Sequence, residues 1–254
     1  MTKKLLISVA VAAIAAACTS TAAPERSTSP VVSPAVVSPS VGPGVTGLID
    51  LPYLPPQGVV VQRQGGVAFV ALDGRVLATI HGLELANPTE APGAVLFRRG
   101  GSWFVLDREG SMLRPIERER ADHLHSTDEH AIHLPTPPGM FVNGAPAGHW
   151  RFALLSPDGN RVLAQWSGEC EVPRAYVATL QSGAPVPVTG EASRVPESFA
   201  LGWTRGDRAL VWLPAGACAS GAEQPGVYGF DIPGRASLIT TLPPTGLARM
   251  WGSR

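Results

Sequence analysis

After one long run from Leu5 to Ala17, apolar except for Ser8, hydrophobic residues recur along this chain only in short bursts closed by turn residues. Phe152 to Leu155 is followed by Ser156-Pro157-Asp158-Gly159, where proline presets the second turn position and glycine closes the turn. A second burst, Arg161 to Trp166, follows directly. Further strands are predicted at Ala175 to Leu180 and Val227 to Asp231, with turns at Gln181-Ser182-Gly183 and Ile232-Pro233-Gly234. Bursts this short, separated by such turns, predict antiparallel strands and an all-β domain.

The bursts repeat. Residues 156–170 lie over 204–218 without a gap at an offset of 48, each preceded by an apolar stretch, Phe152 to Leu155 and Phe199 to Trp203. In the first half, Gly58 to Val61 and Gly65 to Val70 lie over Gly93 to Leu96 and Gly100 to Val105 at an offset of 35. Leu72-Asp73-Gly74-Arg75 then plays the part of Leu106 to Gly110. Four short antiparallel strands per unit, repeated at about 48 residues, make the blade of a β-propeller. Residues 57–254 hold material for four or five blades, an incomplete ring included. The chain ends are expected to pair near Val59 and Leu247 to Trp251.

The run Leu154 to Ala164, apolar-Ser-Pro-Asp-Gly-x-Arg-Val-Leu-Ala, resembles the repeat of the TolB-type, WD-repeat-like propellers of bacterial envelope proteins. Gly202 to Trp212 carries it loosely, with Thr204-Arg205-Gly206-Asp207 in place of the turn. The resemblance implies a fold and a role as a binding platform within envelope complexes. That family shares no catalytic residues to carry over.

The N-terminal run changes where such a domain is placed. Lys3 and Lys4 precede a 13-residue run, apolar except for Ser8, that ends in Ala15-Ala16-Ala17 before Cys18. A basic start, an apolar run and a small-residue close form the pattern of a secretory signal peptide. The run is shorter than the roughly 20 residues that a spanning helix needs. A cysteine directly after small residues resembles a bacterial lipobox, in which the thiol is diacylated and the chain cut just before it. Ala15 stands where such boxes favour leucine. Residues 1–17 are therefore expected as a lipoprotein signal peptide, with Cys18 as the lipidated first residue on the extracytoplasmic side of the cell membrane. The alternatives are an ordinary signal cut near Ala23 and an uncleaved anchor.

Residues 18–56 read as a linker, with Pro24, Pro30, Pro34, Pro39 and Pro43 among Ser, Thr and Val, and no aromatic before Tyr53. Such a stretch buries too little apolar surface to offset its ordering entropy, and its composition is that of a disordered segment. Cys170 and Cys218 take equivalent positions in neighbouring units, so they are expected on one face of adjacent blades as a disulfide. Cys18 is then the odd cysteine, which lipidation explains.

Lysine is confined to Lys3 and Lys4, and the other 18 basic residues are arginine, against 20 carboxylates. This near-neutral balance leaves no electrostatic footprint for nucleic acid. The chain lacks a Gly-x-Ser-x-Gly elbow, a His-Glu-x-x-His pair and a phosphate-cradling glycine loop. The aspartates at 50, 73, 107, 158, 207 and 231 sit mostly at turn positions, where Asp serves backbone hydrogen bonds. No cofactor is expected. The six tryptophans are expected mainly between blades, filling core.

One segment fits neither repeat. Residues 118–133 hold His123, His125, His130 and His133 beside Asp122, Asp128 and Glu129. On a strand His123 and His125 share a face, and on a helical turn His130 and His133 do. Imidazoles with nearby carboxylates suit Zn, Cu or Ni. The spacing approaches the His-x-His-x-Asp-His of metallo-β-lactamase-like hydrolases but is broken on both sides of Asp128. The segment reads instead as a solvated surface insertion that binds zinc weakly at most. The expected function is a non-enzymatic, lipid-anchored binding or scaffold module, with a protein or envelope ligand on one propeller face. The alternatives are an extracytoplasmic hydrolase or lyase on the same scaffold, or a metal-binding lipoprotein using residues 122–133.

Overall fold

The computed structural model describes residues 49–86, 93–107, 112–125, 134–168, 172–181, 183–189, 197–215, 224–231, 235–243 and 246–252, with backbone alone at 123–125, 142 and 235. The chain runs β1 (Ile49–Asp50), β2 (Gly58–Arg63), β3 (Gly66–Ala71), β4 (Val76–His81), β5 (Glu84–Leu85), β6 (Leu96–Arg99), β7 (Ser102–Leu106) and β8 (Met112–Ile116). Helix α1 (Arg118–His125) and the hairpin of β9 (Phe141–Val142) and β10 (Ala145–Pro146) follow. The second half runs β11 (His149–Leu155), β12 (Arg161–Ser167), β13 (Pro173–Thr179), β14 (Val186–Pro187), β15 (Phe199–Trp203), β16 (Ala209–Leu213), β17 (Gly226–Asp231), β18 (Arg235–Thr241) and β19 (Ala248–Trp251).

These strands make four antiparallel sheets in addition to the hairpin. Sheet I is β19-β2-β3-β4, sheet II is β1-β8-β7-β6-β5, sheet III is β11-β12-β13-β14 and sheet IV is β15-β16-β17-β18. This is the architecture of propeller blades. The last strand closes the first blade, with Met250 opposite Val59 and Trp251 opposite Gly58, where the chain ends were expected to meet. Gly58 is required there, because a Cβ would lie 2.2 Å from the Trp251 ring. Residues 49–56, the end of the stretch expected as linker, pack on the sheets: Ile49 pairs with Leu113, and Leu54 is buried.

The strands are apolar on both faces because each sheet is sandwiched. β3, Gly-Val-Ala-Phe-Val-Ala, is buried throughout. One shared core joins sheets I and II around Phe69, Phe97, Phe104 and Trp251. A second joins I and IV around Val61, Val70, Leu210 and Trp212. A third joins III and IV around Leu163, Val177, Trp203 and Val211. The sheets are thus linked in the order II–I–IV–III. Among the described residues no such core joins II to III, and in the chain α1 and the β9–β10 hairpin separate them.

Buried amides clamp the shared cores. The Gln165 carbonyl oxygen on β12 accepts from Ala200 N on β15 at 2.7 Å, and its amide donates to Ser198 O at 3.0 Å. Gln62 on β2 does the same for β5, accepting from Leu85 N at 2.7 Å.

Both internal repeats slip by one residue against their gap-free sequence alignments. In the hairpins, Arg63 pairs with Gly66 and Arg99 with Ser102, so sheet II follows sheet I at an offset of 36, not 35. In sheets III and IV, Leu155 pairs with Val162 but Trp203 with Ala209, so the offset falls from 48 to 47 across the turn. Asp207 takes the left-handed place of Gly159, with φ of 59° against 73°, and Asn160 is the extra residue of the longer turn. Side chains alternate along a strand, so a slip of one exchanges the two faces.

Candidate functional site

Sheets II and III each present one face that no shared core occupies, and chemistry not spent on packing collects on these two faces. On sheet II a cleft of about 870 Å³ opens near the C-terminal end of β19. Val105 and Ile116 give it apolar walls, Trp251 closes one side, and Asp107, Arg114 and Arg120 bring charge to it. β8 delivers Arg114 opposite Val105 on β7, and α1, packed against β7, delivers Arg120. The helix is seated by Ala121, which is fully buried.

The Asp107 carboxylate is nearly buried, with 8% of its side chain exposed, and lies 3.9 Å from the Arg114 guanidinium. It also accepts from Met112 N at 3.5 Å. Arg120 makes no ion pair among the described residues, which leaves the cleft with two guanidiniums against one carboxylate.

The free face of sheet III is aromatic and rich in donors. Trp166 on β12 stands opposite Trp150 on β11 and Arg174 on β13, and Tyr176 shares their face two residues beyond Arg174. The ring of Trp150 meets those of Trp166 and Tyr176 edge-on at 5.0 Å and 5.7 Å. Trp150 Nε1 donates to Leu134 O at 3.1 Å, and Arg174 Nη1 donates to the Met140 thioether at 3.1 Å. Trp166 Nε1, Tyr176 Oη and Arg174 Nε are buried without hydrogen-bond partners. A buried donor left unpaired costs about 1–3 kcal/mol. Burial pushes the Tyr176 phenol above its ordinary value of 10.0, and the Arg174 charge opposes the rise.

The turn carboxylates are largely committed to structure. Asp158 accepts from the Ser156 hydroxyl and from Asn160 N, and in that order these hold its pKa below 3.8. Asp207 Oδ1 accepts from Asp158 N at 3.3 Å, and Asp207 O from Arg161 Nη2 at 3.2 Å, tying the turns of sheets III and IV together. Arg205 N donates to Gln57 Oε1 at 2.8 Å, and Gln57 Nε2 to Gly252 O at 2.9 Å, which carries the belt on to sheet I. Asp73 caps its own turn through Arg75 N, and Asp231 pairs with Arg208 at 2.7 Å.

Of the residues singled out from sequence, Cys18, Cys170, Cys218, His130 and His133 lie outside the described residues. His123 and His125 lie in α1 and not on a strand. The helix forms because Arg118 to Asp122 has no β-branched residue and Glu119 in the first turn suits the helix dipole. Tryptophans 203, 212 and 251 fill shared cores as expected, whereas Trp150 and Trp166 belong to the free face of sheet III.

No protein-family model matches this chain. No curated protein matches it either. Among solved structures it is similar to putative TolB from Agrobacterium tumefaciens, at 14% sequence identity and a TM-score of 0.26. The match covers 72% of this chain and 53% of that one, so the chain spans about half the length of that structure. The four blade-like sheets, and not this likeness, carry the β-propeller assignment.

Proposed function

We propose that this protein is a lipid-anchored, extracytoplasmic β-propeller that works as a non-enzymatic binding or scaffold module of the cell envelope. The observation that carries the reading is the sheet II cleft, where apolar walls and two guanidiniums meet beside Trp251 of sheet I. A site of this kind, concave and apolar with a few placed polar groups, is built for binding. The run from Leu5 to Cys18 supplies the anchor, and the resemblance of Leu154 to Ala164 to envelope propellers supports the setting.

Two experiments test the reading. Cys18→Ala is expected to move the protein from the membrane fraction to the medium or periplasm, and unchanged fractionation overturns the anchor. Full-length protein, cross-linked in envelope extract, is expected to capture a partner that an Arg114→Gln/Arg120→Gln variant loses. Capture unaffected by that variant removes the cleft from the function.

A further inference from the structure

We propose that the free face of sheet III holds a site for a compact anion, a carboxylate group or a halide, formed by Trp166 Nε1, Tyr176 Oη and the Arg174 guanidinium. All three groups can donate, and apart from the Tyr176 hydroxyl itself, which faces the Arg174 charge, the described residues bring them no strong acceptor. Trp166 and Tyr176 are each 2% exposed, so bulk water does not serve them. Arg174 makes no ion pair among the described residues, and the thioether it meets is a weak acceptor. Three donors of this kind around a positive charge call for a negatively charged acceptor, because charge-assisted hydrogen bonds are the strong ones.

Gly168 stands beside two of the donors. A Cβ built on it would sit 3.4 Å from Trp166 Nε1 and 3.8 Å from Arg174 Nη1, so a methyl there would lie against both. The covering strand segment adds no competing charge: Leu134, Met140 and Ala147 contribute a carbonyl, a thioether and a backbone turn. The adjacent Glu169 and Glu171 lie outside the described residues. The site is on a different sheet from the Arg114–Arg120 cleft and does not depend on it.

The test follows the Trp166 indole N–H by nuclear magnetic resonance in the full chain, its signal assigned by Trp166→Phe. Sodium acetate and sodium chloride are titrated against sodium gluconate, whose anion is too bulky for the site, at constant ionic strength. The expected result is a saturable shift with acetate or chloride, acetate marking a carboxylate site and chloride alone a halide site. Arg174→Gln should weaken binding about tenfold, the worth of one charge-assisted hydrogen bond. Gly168→Ala, which sets a methyl against two of the donors without backbone strain, should abolish the shift and leave thermal stability unchanged. No saturable shift in the wild type, or one indifferent to both variants, overturns the proposal. So does a displaced indole signal in Glu169→Gln/Glu171→Gln under gluconate alone, because the chain's own carboxylates then occupy the donors.

Discussion

Gln165 is the position where the propeller reading makes its most demanding stability claim. It is 2% exposed, yet its side chain is fully polar at the tip and lies between sheets III and IV. Ser198, 1% exposed, continues the link, with its hydroxyl accepting from Ala175 N at 2.8 Å. Replacing Gln165 by leucine keeps the volume but leaves Ala200 N–H and Ser198 C=O buried without their partner. At about 1–3 kcal/mol for each orphan, less about 1 kcal/mol regained from apolar burial, the net loss is about 1–5 kcal/mol. Against a usual total of about 5–15 kcal/mol this is a large fraction. Urea denaturation reads it as a lower midpoint at unchanged slope. Gln62→Leu is the internal comparison. Gln62 is only half-buried, so water reaches the groups it abandons, and the expected loss is about 0.5–1.5 kcal/mol. A Gln165→Leu protein within about 0.5 kcal/mol of wild type, or one less destabilised than Gln62→Leu, would refute the idea that buried amides lock neighbouring blades.

Tyr176 should make the fold sensitive to alkali: its raised pKa means stability is intact below about 10 and falls as pH rises through that value towards the folded one. Tyr176→Phe should remove that fall in urea midpoints between about pH 9 and about pH 11, and identical slopes in both proteins count against it. For Asp158, whose pKa is lowered, the linked stability is present above 3.8 and lost as pH falls through the folded value. Ser156→Ala removes the largest cause and should move the Asp158 carboxyl titration back towards 3.8; an unmoved midpoint in a carbon-13 titration contradicts the assignment. Cys170 and Cys218 should appear as one cross-linked peptide pair in a non-reduced digest, and two alkylatable thiols refute the bond. Its loss should cost about 2–5 kcal/mol.

Much of the fold was legible because its signals are local. Ser156-Pro157-Asp158-Gly159 encodes its own turn, and the structure spends those residues as the sequence implies, with Gly159 at a left-handed φ of 73° and Asp158 bonded to Asn160 N. Val59-Val60-Val61 reads as a doubly buried strand and is one. The pairing of the chain ends followed from matching the first and last apolar bursts. The insertion at 118–133 was legible as an interruption, but not as a helix over Arg118–His125, because six polar residues with only Ala121 and Leu124 among them carry little periodic signal.

The candidate site was hidden for a different reason, and Trp166 shows it. In a blade buried on both sides, either face of a strand is apolar, so composition cannot say which tryptophan meets a neighbouring blade and which meets the open face. That depends on parity, and parity depends on turn length to within one residue. The gap-free repeat at 48 places Leu210 over Val162, whereas the pairing places Leu210 over Leu163. Carried through, the uncorrected alignment assigns Trp166 to the face shared with sheet IV and Gln165 to the open one. Trp166, Arg174 and Tyr176 would then look like unrelated core and surface residues. The register of β12 against β11 and β13, with Trp166 opposite Trp150 and Arg174, is what stands three unpaired donors together, and no pattern of hydrophobicity along the chain records it.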